Sequence, residues 1–432
     1  MKPQTITQYD APHQFEPLWP GEPALGPLLE RASDLSRAAT LLGSGAPPAA
    51  LAELRSLLRS MNSYYSNRIE GEHTRPSEIE QALQQDFSAH SELARKQRLA
   101  VAHIAAEQQC EAQMATHAKA AGADTQRWLY STPVLCWLHD QLFQGLDHDD
   151  LRLADGSQMV PGALRQRPVA VGRHEAPVAS AVPKFLDRWA QVYGRARRGE
   201  ATVVALAAAH HRLTWIHPFL DGNGRLARLH THLSLHSAGL SHGLWSPLRG
   251  YARSEPRYRG LLQAADEHRR GDLDGRGNLS EAALVDWIHY TLDICIDQVQ
   301  FMTQMLDVRG MQERMAAALA FEASTLKSGV RPEALLPLHY LFVAQGELGR
   351  ADFKAMTGLG ERIATQTVSA LLRQGYVASD TPYGRLRFAV PRHALRFYFP
   401  ALWPEAEQEQ AQMQAQHGAP THRAKPLRGT TP

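Results

Sequence analysis

The chain has 432 residues, with 46 lysines and arginines against 44 aspartates and glutamates and a formal net charge of +2, which allows two or three domains and argues neither for nor against a nucleic-acid partner. Three scattered cysteines, Cys110, Cys136 and Cys295, exclude a disulfide framework and a zinc knuckle. The opening MKPQTITQYDAPHQFEP has no apolar core for a secretory signal, no run of roughly 18 apolar residues suits a membrane span, and the expected compartment is the reducing cytoplasm.

Residues 1–26, rich in proline and polar residues, read as an irregular arm. Leu29 to Leu42 and Ala49 to Ile69 read as helices parted by the breaker Gly43-Ser44-Gly45-Ala46-Pro47-Pro48. In the second, Leu51, Leu54, Leu57, Leu58 and Met61 recur at helical spacing. Gly71 stands where a helix would take its C-terminal glycine. Ser77 with Glu80 suits a capping box for the next helix. Ser91 to His117 is a long amphipathic run, and Pro133 to Phe143 a short helix. Residues 144–165 are loop-like. Arg167 to Gly172 reads as a strand of a hairpin that turns near Gly172-Arg173-His174. Pro183 to Tyr193, Ala201 to Ile216, Leu226 to Leu235 and Glu281 to Met302 complete a helical block, and 303–330 a helical connector. From 332 the texture changes. Leu335 to Val343, Arg350 to Met356 and Arg362 to Leu372 read as helices, and Gly375-Tyr376-Val377 and Leu386 to Val390 as strands about a Tyr383-Gly384 turn. That is the order of a winged helix. The tail from Glu405, Gln- and Glu-rich and then basic, reads as frayed.

One dozen, His-Pro-Phe-Leu-Asp-Gly-Asn-Gly-Arg-Leu-Ala-Arg at 217–228, carries chemistry. Pro218 disfavours the helical region at His217, so the helix should stop there. Asp221-Gly222-Asn223-Gly224 is strong turn chemistry opening a new helix, whose free N–H groups can cradle an anion. Arg225 and Arg228, three apart on the first turn, could grip phosphate oxygens. Asp221 is a hard ligand suited to Mg²⁺ on phosphates. His217 titrates near neutrality and could take a proton from a hydroxyl.

The dozen matches every fixed position of H-x-F-x-[D/E]-G-N-G-R-x-x-R, and the chain thereby resembles the Fic family. The resemblance implies a mainly α fold: a helical bundle with a β-hairpin flap, here followed by a small winged-helix (α+β) unit. Its implied boundaries are an arm and helix at 1–48, the Fic domain at 49–302, a connector at 303–331, the winged helix at 332–404 and a tail at 405–432. It implies adenylylation, the passage of AMP from ATP to a protein hydroxyl. His217 would be the general base and Asp221 the Mg²⁺ ligand. Asn223 and the Gly222 and Gly224 amides would hold the α- and β-phosphates, Arg225 another phosphate and Arg228 the γ-phosphate, with Phe219 as a buried anchor. Val169, Ala170, Val171 and Gly172 stand where the flap would pin a target peptide. Tyr258, with Leu262 and Asp266, resembles the helix bordering adenosine, although many relatives carry Asn where Asp266 stands.

Ser66-Asn67-Arg68-Ile69-Glu70-Gly71 matches the family's inhibitory pattern [S/T]-x-x-x-E-[G/N]. Ser66 and Glu70 share a helix face, and a carboxylate at a helix C-terminus wants a cation. The resemblance supplies Arg228, denied to the γ-phosphate by Glu70. Implied partners are ATP, a target protein and, through self-modification, the chain itself, with no membrane. Alternatives are removal of AMP, transfer of another phosphoryl group, or a DNA-binding regulator whose core only senses nucleotide. The last rests on Arg362 to Thr367 as a groove-reading helix and on Arg385, Arg387, Arg392 and Arg396 around the wing. Such modules also serve in protein docking or homodimers. His230, His232, His236 and His242 suggest metal, but Leu233 stands where a zinc helix carries Glu, and core or surface histidines are the expectation. His210 or His211 should pack inward. Asp272-Leu273-Asp274-Gly275-Arg276-Gly277 lacks the ligands of a calcium loop at Arg276 and Ala283, and Ser280 reads as the N-cap of the helix after it.

Overall fold

The computed structural model describes residues 8–45, 48–121, 124–195, 197, 199–344, 346–400 and 402. In chain order the helices are α1 (Glu22–Gly45), α2 (Pro48–Ile69), α3 (Pro76–Leu83), α4 (Ser91–Ala121), α5 (Thr125–Leu129) and α6 (Thr132–Leu142). A hairpin of β1 (Ala170–Val171) and β2 (His174–Glu175) follows. Then come α7 (Val182–Tyr193), α8 (Glu200–Ile216), α9 (Asn223–Ser237), α10 (Leu248–Arg253), α11 (Glu255–Asp266) and α12 (Glu281–Met305). The C-terminal unit comprises α13 (Val308–Phe321), α14 (Leu335–Val343), α15 (Arg350–Thr357), α16 (Glu361–Gln374), the hairpin β3 (Val377–Ala378) and β4 (Arg387–Phe388), and α17 (Leu395–Tyr398). No described helix is long and apolar enough to cross a membrane.

The bundle is organised about α8. From Val203 to Ile216 every residue except Thr214 is buried. A helix apolar on all sides must be enclosed on all sides, and α1, α7, α9 and α12 pack around it. Its one buried arginine, Arg212, donates to Pro17 O at 2.8 and 3.1 Å. That bond helps fix the N-terminal segment, where Phe15 is fully buried against Phe185 and Trp215. The arm is therefore irregular but packed, and it ends at Glu22 rather than 26. Pro23 is accommodated because it lies in the first turn of α1, where no intrahelical N–H is needed.

The helix ends follow local chemistry. At the end of α2, Gly71 takes φ +79°. Its N–H donates to Arg68 O and that of Glu72 to Asn67 O, both at 3.0 Å, a Schellman closure. The cap of α3 differs from the Ser77/Glu80 pairing. Pro76, lacking an N–H, takes the first helical position, so the box shifts and Glu78 accepts from Arg75 N at 2.7 Å. Ser280 caps α12 by accepting from Ala283 N at 3.1 Å. Asp274 is spent on Ser280 Oγ and Ala282 N rather than on an ion.

The C-terminal unit has the expected order of three helices and a hairpin. A bridge between Leu348 and Leu386 supplements the β3–β4 pairing. Both α14 and β4 pack on α2, and the Tyr65 hydroxyl donates to Leu402 O at 2.8 Å. The wing's positive character is locally cancelled. Arg387 pairs with Asp380 at 3.1 Å, Arg385 with Glu347 at 3.7 Å, and Arg396 lies over Phe321 and Phe397. The Arg392 side chain, residues 1–7 and the tail from Glu405 lie outside the described residues.

Candidate active site

The 217–228 loop joins the end of α8 to the start of α9. His217 closes α8 in the left-handed region, at φ +50°. A backbone carbonyl can only accept, so the 3.2 Å contact with Thr214 O places the imidazole proton on Nδ1. The lone pair is then on Nε2. Burial, assisted by the nearby Arg165 guanidinium, pushes the His217 pKa down to about 4, so the ring is neutral at neutral pH.

The loop is braced from three directions. Asn223 accepts from Phe219 N and donates to Phe219 O, both at 2.9 Å. Its amide thus closes the turn, with its second N–H left over. Two residues that the sequence did not single out do the rest. His139 on α6 accepts from Gly162 N at Nδ1 and donates to Asp221 O from Nε2, each at 2.9 Å. Its ring stacks on fully buried Phe219 at 3.8 Å. Arg165 donates to His217 O at 2.7 Å and to Pro177 O at 2.5 Å, and its own N–H donates to Pro218 O. One buried guanidinium thereby ties the catalytic loop to the chain leaving the β1–β2 hairpin. Gly222 is required twice over: its φ is +77°, and a Cβ there would lie 2.6 Å from Phe143.

The first turn of α9 is an anion cradle. Arg225 is buried over the Phe143 ring and reaches Asp221 Oδ2 at 3.3 Å. Its Nε and Nη1 have no hydrogen-bond partner among the described residues. Buried, unpaired guanidinium donors next to a helix N-terminus are the provision for an anion. Asp221 is half-exposed and accepts from Gly222 N at 2.6 Å. A cleft of about 790 Å³ ends at Asp221 and Arg225, and another of about 810 Å³ runs along the hairpin, Asp266, Glu267 and His268. Ala170 and Val171 of the hairpin are exposed, and Gly172 carries its turn at φ +60°. Val169 O accepts from Ala176 N at 3.2 Å.

Arg228, next along the cradle, is 1 % exposed and fully engaged. It donates to Glu70 Oε1 at 2.6 Å, Ser66 O at 3.0 Å and Ser66 Oγ at 3.1 Å. Burial alone would raise the Glu70 pKa, but the Arg228 guanidinium outweighs it and holds the carboxyl below its ordinary value. The Glu70 carboxylate also lies against the start of α9, for a Cβ on Gly224 would collide with it. Behind Arg228 runs a relay. Tyr258 couples electrostatically to Arg228, and its O–H faces His210 Nε2 at 3.1 Å. His210 Nδ1 donates to Thr231 Oγ1 at 2.7 Å. Tyr258 is buried beside Arg228. Asp266 faces His211 Nε2 at 3.1 Å.

Residues 129–235, which hold α6 to α9 and this loop, match the family model for the Fic/DOC family. The chain carries a Fic/DOC family domain. Solved structures are similar to it as well. A Fic family protein from Desulfovibrio desulfuricans G20 aligns over 87 % of this chain and 98 % of its own, at 18 % identity and a TM-score of 0.49. A Fic domain containing signaling protein from Bacteroides thetaiotaomicron VPI-5482 aligns over 63 % of this chain and 95 % of its own, at 16 % identity and a TM-score of 0.45. Fic-1 from C. elegans aligns over 64 % and 71 %, at 18 % identity and a TM-score of 0.46. The Fic match ends before α11 and α12, so Tyr258 and the C-terminal unit lie outside it.

Proposed function

We propose that this protein is a protein adenylyltransferase held back by its own α2. The observation that carries the reading is the pairing of a neutral imidazole, with its lone pair on Nε2, with a buried cationic cradle at the start of α9. Such a pair suits a reaction in which a hydroxyl must lose a proton beside a polyphosphate. In the transfer, the oxygen of a target Ser, Thr or Tyr forms a bond to the α-phosphorus of ATP. The bond from that phosphorus to the bridging oxygen of the β-phosphate breaks, and pyrophosphate leaves. His217 Nε2 receives the hydroxyl proton. Arg225 and the first N–H groups of α9 hold the phosphate chain in line for attack. Asp221 offers a half-exposed, hard carboxylate that fits Mg²⁺ shared with phosphate oxygens, which would supply charge neutralisation for the leaving pyrophosphate. The exposed β1–β2 edge is suited to pairing with an extended target segment.

Glu70 stands against this chemistry at rest. Its carboxylate shares the cradle that the terminal phosphate would need and neutralises Arg228. A charge-assisted hydrogen bond of this kind contributes about 1.5–3 kcal/mol. Glu70→Gly should therefore raise self-modification with labelled ATP by roughly ten- to a hundredfold, and His217→Ala in that background should abolish it. Mass spectrometry of the product distinguishes AMP from phosphate. Labelling by Glu70→Gly no faster than by the parent chain, or label that survives His217→Ala, would refute the reading.

A further inference from the structure

A second constellation lies between α4 and α9, on the side of α9 away from the loop. His103, Glu107 and Glu111 follow one another at single-turn intervals on α4, so they share a face. His232 and His236 do the same on α9, and the two helices pack together. His232 Nε2 lies 3.1 Å from Glu107 Oε1 and 4.0 Å from Glu111 Oε1. One donor atom from each of the three lies within 4.8 Å of the others. Glu107 and His232 are buried. The outer lone pairs of the carboxylates are held from α2: Asn62 Nδ2 donates to both oxygens of Glu107 at 3.1 Å, and Arg59 to Glu111 Oε2 at 3.2 Å.

A separate observation points to a ligand. His103 is 1 % exposed, yet neither of its ring nitrogens has a hydrogen-bond partner among the described residues. The Nδ1 atoms of His232 and His236 are likewise without partners. Buried imidazole nitrogens are costly to leave unpaired, and here they border two carboxylates, of which Glu111 is also paired with Arg59.

We propose that Glu107, Glu111 and His232, with His103 as the fourth side chain, form a structural site for a first-row divalent cation of the zinc class. The donors are mixed imidazole nitrogen and carboxylate oxygen, which favours such ions over Ca²⁺ or Mg²⁺. Zinc ligands lie about 2.0–2.2 Å from the ion, which brings donors to roughly 3–4 Å from one another. Glu107, His232 and His103 are buried, and four candidate side-chain donors suit a closed tetrahedral site, so its role is to fasten rather than to react. It fastens three elements at once: α4, α9 with Arg225 and Arg228 at its start, and, through Asn62 and Arg59, the α2 that carries Glu70. Spacing alone did not reveal it, because the carboxylates come from a helix more than a hundred residues away from His232.

The test uses the full chain. Protein purified without chelator should contain equimolar zinc by inductively coupled plasma mass spectrometry. After chelation, titration with Co²⁺ alone should produce the visible d–d bands of a four-coordinate site. Glu107→Gln and His232→Gln should each weaken Co²⁺ binding at least tenfold, whereas Asp221→Ala should leave the bands unchanged. Should those variants fail to fold, the parent chain decides alone: added zinc should raise the melting temperature of its metal-free form. Absence of metal above buffer with no d–d bands, or bands lost on Asp221→Ala, overturns the proposal. The result is independent of whether AMP is the transferred group.

Discussion

In the proposed transfer His217 is the base, and its environment removes its ordinary titration range. The ring is buried, it lies near the Arg165 guanidinium, and its proton is fixed on Nδ1 by Thr214 O. A general base works only when deprotonated, so activity falls as pH drops through its pKa. With that pKa pushed down from 6.5 to about 4, the acid limb of kcat/KM for the Glu70→Gly form should lie near pH 4. A limb at the ordinary histidine value would mean that another group controls the step or that the site opens to water on binding. Arg165 is felt through the same residue. Arg165→Lys keeps a charge but loses the fork that spans His217 O and Pro177 O. It should lower kcat far more than it raises the KM for ATP, since it positions the base and touches no phosphate. Steady-state kinetics in which only KM changes would remove it from the positioning role.

At the scale of elements, α2 is the member that two others grip. Its C-terminal turn holds Arg228 of α9, and one residue before Ser66 the Tyr65 hydroxyl holds Leu402 O of the C-terminal unit. Tyr65→Phe leaves that buried carbonyl unpaired, at a cost of about 1–3 kcal/mol. If the C-terminal unit steadies the inhibitory turn, basal self-labelling with ATP should rise severalfold in Tyr65→Phe while His217→Ala in the same background stays silent. Labelling equal to the parent would show that the contact is only packing. The sequence made these elements legible where a period or a breaker marks them. The α2 run of leucines, the Gly71 stop, the Pro218 break and the order of three helices and a hairpin after residue 332 all appear where helical spacing and turn chemistry put them. What it did not disclose are contacts across elements. Arg165 stands in a loop-like stretch and His139 on an ordinary amphipathic helix, and only the approach of other backbones gives either one its role. Asn223 shows the same limit: its motif position suggested a ligand contact, and its two-way bond to Phe219 is a closure no spacing can reveal.

Several histidines in the interior are held neutral, and they shape the response of the molecule to acid. Burial lowers the pKa of His139 and His217 to about 4 and that of His210 well below its ordinary value. Each ring has partners that suit the neutral form: His139 accepts from Gly162 N, and His210 Nε2 faces the Tyr258 hydroxyl. In the unfolded chain the same rings titrate near 6.5. Between the two values the unfolded state binds more protons, so the stabilisation is complete above 6.5 and is lost progressively as pH falls toward the folded values. Each such group contributes a slope of up to about 1.4 kcal/mol per pH unit. Carboxylates confuse this only at lower pH, because unfolded Asp and Glu titrate near 4. Melting temperatures measured between pH 6.5 and 5 should therefore fall steadily, and the fall should be shallower in His139→Gln, whose amide can accept and donate as the neutral ring does but cannot charge. A flat profile across that interval, or an unchanged slope in His139→Gln, would mean that these rings are reached by water in the folded protein and that the catalytic loop is less tightly enclosed than its hydrogen bonds indicate.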